Sequence, residues 1–115
     1  MNKIDEEENI NFYKVDIKKK DETNNKIITL MIKIITTSDN VDYHNYAILL
    51  KKLYNTNNKN KLEMIQYNNL FNKMISIIED IYEKSDFIFT TTNYLFEKKK
   101  FIKESYKELS NLLFL

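Results

Sequence analysis

The chain contains no glycine, proline, cysteine or tryptophan, and all 18 of its basic side chains are lysines. Each absence removes a class of chemistry. Without glycine there is no phosphate-cradling loop, no dinucleotide fingerprint and no nucleophile elbow, since each needs backbone conformations that only glycine adopts cheaply. Without cysteine there is no disulfide framework, no thiolate zinc site, no iron–sulfur ligation and no thiol nucleophile. Without arginine, the bidentate fork that reads carboxylates, phosphates and the guanine edge is missing. An excess of one charge is missing too. The 17 acidic residues leave a formal net charge of +1, which fails the test of a basic nucleic-acid-binding domain.

Long apolar runs are also lacking. None approaches the roughly 20 residues needed to span a bilayer. The acidic opening MNKIDEEENINF has no apolar core of the kind a secretory signal carries. None of the 16 asparagines sits in a glycosylation sequon. The expectation is a soluble, intracellular protein, cytoplasmic by default and without a membrane span.

What is present is enough for one folded domain. At 115 residues, 43% hydrophobic and 13% aromatic, the chain can bury roughly two thirds of its unfolded surface. Ile, Lys, Asn, Tyr and Phe make up 65 of the 115 residues. All five are encoded by AT-rich codons, so drift in an AT-rich genome explains much of the composition. Isoleucine-rich stretches are therefore weak evidence for strands, and asparagine-rich ones weak evidence for recognition.

Residues 1–9 read as an acidic extended arm and 10–115 as a single, mainly α-helical domain. Residues 12–18 alternate, with Tyr13, Val15 and Ile17 on one face, as a half-buried strand does. Residues 26–37 (KIITLMIKIITT) fit two templates. As a strand, Ile28, Leu30, Ile32 and Ile34 form one apolar face; as a helix, Thr29, Lys33 and Thr36 or Thr37 form one polar stripe. The β-branched content and the alternating segment upstream favour a hairpin slightly, which would make the fold α+β.

Three helices follow. The first covers about 41–54, capped by Ser38, Asp39 or Asn40, with Asp39 and Asp42 resembling a capping box. The second covers 61–84, capped by Asn60 with Glu63. Its stripe Met64, Tyr67, Phe71, Met74, Ile78 and Ile81 has the spacing of a helix–helix seam. Between them, 55–60 is a hinge using Asn where other chains use Gly. The third covers about 93–113, capped by Thr92 or Asn93, with Leu95, Ile102 and Leu109 repeating every seven residues. Short hinges favour an antiparallel bundle of these three helices, with 10–37 packed on it as a β-hairpin or a fourth helix. Residues 85–92 are a connection or short extended piece.

Few constellations could carry chemistry. His44 lies near Asp39 and Asp42, but 44 sits about 200° around a helix from 42, so the three do not converge on a metal. Glu79, Asp80 and Glu83 read as a solvated face. No enzyme, cofactor or metal is expected. Lys99, Lys103 and Lys107 align at four-residue spacing as a candidate polyanion contact, although Glu97, Glu104 and Glu108 interleave with them. The closing Leu109-Ser110-Asn111-Leu112-Leu113-Phe114-Leu115 is a candidate partner interface through Leu109, Leu112, Leu113, Phe114 and Leu115, if it does not dock on the chain's own core.

The favoured expectation is a small non-catalytic subunit or adaptor, giving helical surface to a larger protein assembly. A helical regulator holding a partner helix in a groove comes second. A weak polyanion binder, of nucleic acid or ribosome, comes third, and self-association is compatible with all three.

Overall fold

The computed structural model describes residues 22–114, so the arm (1–9), the expected strand at 12–18 and Leu115 lie outside the described residues. Those described are mainly helical: α1 (Glu22–Ile35), α2 (Val41–Asn55), α3 (Lys61–Lys84), a 3-10 turn at Ser85–Phe87, and α4 (Asn93–Leu113).

The ambiguous segment is a helix, which corrects the strand reading of 26–37. Glu22, Lys26, Thr29, Lys33 and Thr36 recur every three or four residues, and all are exposed. Asn24, Ile27, Ile28, Leu30, Met31, Ile34 and Ile35 are buried. The helix touches all three others, most extensively α4. Burial on several sides at helical spacing outweighs the β-preference of its isoleucines, which reflects packing more than intrinsic backbone preference. The helix stops at threonines that satisfy its last carbonyls: Thr36 Oγ1 donates to Lys33 O at 2.9 Å and Thr37 Oγ1 to Ile34 O at 2.6 Å.

Asparagine starts two of the remaining helices. At α2 the cap is Asn40, whose Oδ1 accepts from the amides of Asp42 and Tyr43 at 2.9 and 3.2 Å. The expected Asp39/Asp42 box does not form. At α3 the box between Asn60 and Glu63 forms in both directions, at 2.8 and 2.9 Å. Thr92 caps α4 by accepting from Leu95 N at 3.2 Å. In the hinge, Asn58 has φ 53°, the left-handed conformation that Asn tolerates in place of Gly. Lys59 then ties the hinge to the end of α2, donating to the carbonyls of Thr56 (3.0 Å) and Tyr54 (3.4 Å). A cation there also complements the helix dipole.

The α3 seam is buried from Tyr67 through Phe71, Met74, Ile78 and Ile81, while Met64 in the first turn is half-buried. It meets α1, α2 and α4, so α1 and α3 together form the centre. From α4 the core takes Ile102, Leu109 and Leu113. Tyr54, Tyr67 and Phe71 form a tilted aromatic chain with successive ring centroids 6.4 Å apart. Burial, and secondarily Tyr54, pushes the Tyr67 phenol far above its ordinary pKa, so it stays neutral.

Candidate functional site

One end of the molecule gathers four segments: the 36–40 connection, the end of α3 with its 3-10 turn, residues 88–92, and the first turns of α4. Local bonds hold each in place. His44 Nε2 lies 2.5 Å from Ser38 O, clamping the connection before α2. His44 is thus half-buried and structural. Ser85 is buried and donates to Tyr82 O at 2.5 Å, and Ile88 N donates back to Ser85 O at 3.2 Å.

Ile88 has extended backbone, φ −80° and ψ 121°, and packs against the core. In extended chain, neighbouring side chains point to opposite sides. Phe89 is accordingly turned out, and Phe87, which closes the 3-10 turn, is turned out as well, with 79% and 78% of their surface exposed. On α4 the buried phase runs through 102, 105, 109 and 113. Tyr94 and Phe96 fall outside it and are exposed, and Phe101 lies at its edge.

Two shallow clefts open here. One, of about 290 Å³, lies among Thr37, Asp39, Tyr43, Asp80, Lys84 and Lys98 and has Ile81 and Ile102 at its base. The other, of about 320 Å³, shares Thr37, Asp39 and Lys98 and adds Thr36, Tyr94, Glu97 and Phe101.

Ion pairs divide the lysines into held and free. Lys103 meets Asp86 at 2.5 Å and lies 4.1 Å from the Tyr82 ring centroid, and Tyr82 stacks on Tyr106 at 4.0 Å. The hydrogen bond from Lys103 holds the Asp86 carboxyl below its usual pKa, with the Lys103 and Lys99 charges adding to it. Lys84 pairs with Asp80 at 3.1 Å, and that bond raises the Lys84 pKa. Among the described residues, Lys98, Lys99 and Lys100 form no salt bridge.

The residues singled out from sequence are therefore scattered. Lys99 is half-buried, Lys103 is engaged with Asp86, and Lys107 is exposed. Of the described apolar residues in the closing stretch, Leu109 and Leu113 belong to this chain's own core, Leu112 packs on it, and Phe114 is exposed. Leu109 and Leu113 thus have no surface to offer a partner in this conformation. Burial first and the Glu79 charge second raise the Tyr106 pKa, with Tyr82 and Glu83 adding less and a hydrogen bond with Ser110 opposing them. No group of three His, Asp or Glu among the described residues is placed to hold a metal.

Sequence reasoning missed Phe87, Phe89, Tyr94 and Phe96. A signal existed: 87–96 (FIFTTTNYLF) is the longest stretch without a charged residue, ten long, in a chain that is 30% charged. No residue in it is buried. No helix among the described residues is long and apolar enough to cross a membrane. Comparison of the chain with protein-family models, curated proteins and solved structures finds no match.

Proposed function

We propose that this chain is a small non-catalytic subunit or adaptor, working inside the cell, that joins a larger assembly through the end of an antiparallel helical bundle. The observation that carries this reading is the exposure of Phe87, Phe89, Tyr94 and Phe96 within the uncharged stretch 87–96. Scattered single hydrophobics on a surface need no explanation, but four exposed aromatics within ten residues that carry no charge are the composition of an interaction site. The antiparallel arrangement draws support from the Lys26–Glu108 ion pair (3.0 Å), which joins the start of α1 to the end of α4. It draws more from Lys73 on α3, which donates to the Tyr46 hydroxyl on α2 at 3.1 Å.

The groove-binding alternative has less behind it. A helix with its side chains is about 10–12 Å across, and the clefts are small and rimmed by Asp39, Asp80, Lys84 and Lys98. The aromatic surface beside them is formed by an outward-turned connection.

The test is the size of the species containing the full chain in an extract of the cells that make it. The wild type should migrate well ahead of the free chain, and the Phe87→Ser/Phe89→Ser double variant as the free chain. Identical migration of the two, or a free wild-type chain, sinks the reading.

A further inference from the structure

We propose that the acidic opening of the chain, Asp5-Glu6-Glu7-Glu8, docks on a lysine surface around the 55–60 hinge, formed by Lys51 and Lys52 near the end of α2 and Lys61 at the start of α3. The occupant is a segment of the same chain, and the site lies at the opposite end of the bundle from Phe87 and Phe89. The inference rests on the antiparallel arrangement proposed above and goes beyond the role proposed with it.

Three observations converge on it. First, charge is one-sided around the hinge. Residues 43–72 hold four lysines (51, 52, 59 and 61) against one carboxylate, Glu63, which accepts from the Asn60 amide at 2.9 Å. Lys51, Lys52 and Lys61 are exposed and form no salt bridge among the described residues. Lys59 is bonded to the hinge carbonyls and lies 5.1 Å from the Tyr67 ring centroid. The starting turn of α1 and the closing turns of α4 bring Glu22 and Glu108, and Glu108 is paired with Lys26 at 3.0 Å.

Second, the opening of the chain is complementary to that surface. Residues 1–9 carry four consecutive carboxylates against one lysine, Lys3. The positive end of the α3 dipole, at Lys61, favours such a run as well. Ile4 and Ile10 flank the carboxylates, and Leu62 and Ile65 are exposed beside Lys61. The contact would therefore remove apolar surface from water on both sides.

Third, the tether is short and starts at the right end. Helices α1 and α2 have 14 and 15 residues, so an antiparallel pair brings the hinge level with Glu22. The Lys26–Glu108 pair puts the end of α4 there too. Glu8 stands 14 residues ahead of Glu22, a length that reaches up to about 46 Å, more than twice the roughly 21 Å of α1. A tethered segment meets its site at an effective concentration on the order of millimolar. At that concentration exposed ion pairs, each weak alone, add up to a populated contact. An external anion would have to bind without that help.

The chain has no cysteine, so Asn9→Cys gives a single attachment point for a nitroxide beside the acidic run of the full chain. Paramagnetic broadening of backbone amides is the readout, and the amide shifts of α4 verify that each variant is folded. The label should broaden the amides of 51–65 and leave those of 87–96 sharp. The effect should weaken as salt is raised from about 0.1 to about 0.5 M. Asp5→Asn/Glu6→Gln/Glu7→Gln/Glu8→Gln should lower the docked population about tenfold or more, since each exposed pair shifts such an equilibrium up to about fivefold. Lys51→Glu/Lys52→Glu/Lys61→Glu should do the same, and adding Glu6→Lys/Glu7→Lys/Glu8→Lys to it should restore the broadening. Sharp amides at 51–65 in the labelled chain overturn the inference, as does broadening that survives neutralisation of the four carboxylates. Broadening passed from a labelled chain to an unlabelled one mixed with it overturns it too, because the occupant is then a second copy. A nitroxide on Asn25→Cys, at an exposed position in the first turn of α1, separates this inference from the arrangement it rests on. That label should broaden 55–60 whatever the acidic run does. If it does and the Asn9 label does not, the docking falls and the arrangement stands; if neither does, both fall.

Discussion

Leu109 and Leu113 each keep 2% of their surface in contact with solvent, whereas Phe87 and Phe89, equally apolar, keep nearly four fifths. The two stretches differ in phase, not in hydrophobicity. From Ile102 onward α4 places an apolar or small residue at 102, 105, 109 and 113, all buried, and that face meets α1 and α3. In 87–96 only Ile88 and Leu95 turn even partly inward. An apolar side chain is buried when its position on the element agrees with the core, and otherwise the same residue type becomes surface.

The largest effect that could break this contrast is on stability. Leu109→Ala should cost about 2–5 kcal/mol, as cavity-forming substitutions in packed cores do. The cost of Phe89→Ala should stay within about 0.5 kcal/mol, the range of surface changes. Urea denaturation of the two variants decides it. Comparable losses would mean that the exposed aromatics support the fold and are not free surface.

A smaller effect sits where the aromatic stretch becomes helix. Thr92 Oγ1 accepts from Leu95 N, and Phe96 N donates to Thr92 O at 3.0 Å. Thr92→Ala should destabilise by about 1 kcal/mol, the usual worth of an N-cap. The loss should appear as faster amide exchange in the first turn of α4, with Leu109–Leu113 unaffected. Exchange spreading to the end of α4 would show that its two halves are one cooperative unit and that the contrast is one of exposure alone.

Asn60 and Thr92 announce their helices because capping is a local interaction within three residues. The seam of α3 is legible for a similar reason, since periodicity is a property of one helix. The choice between strand and helix at 26–35 was not legible. It depends on neighbours on several sides, and the segment satisfies both templates by itself. The stripe from Glu22 through Lys26, Thr29 and Lys33 to Thr36 contains the answer, but only when read across both edges of the apolar run. At the candidate site, the lysine spacing drew attention to Lys103, whose engagement with Asp86 is a contact 17 residues away that spacing along α4 does not encode. The apolar stretch at 109–115 left own-core docking and a partner interface both open, because four consecutive apolar residues look unpaired in one dimension. Two turns back, Ile102 already sets the phase that takes Leu109 and Leu113 inside.

The finest distinction between the two regions is pH. The closing turns of α4 are held by the buried Leu109 and Leu113 together with the surface pair Lys26–Glu108, whereas the turn before Phe89 is tethered by the Lys103–Asp86 pair. Asp86 has its pKa lowered, chiefly by the hydrogen bond from Lys103. A group depressed in the folded state stabilises above its ordinary, unfolded pKa and loses that contribution as pH falls through the lower folded value. The tether at 85–87 should therefore be intact at neutral pH and release only below the ordinary carboxylate range. Amide chemical shifts of Phe87, Ile88 and Phe89 should move through that acid window in the wild type and stay flat in Asp86→Asn. Unchanged titration in the variant would assign the position of the two exposed phenylalanines to the packing of Ile88 and Ser85 alone. The ion pair would then serve only to occupy Lys103.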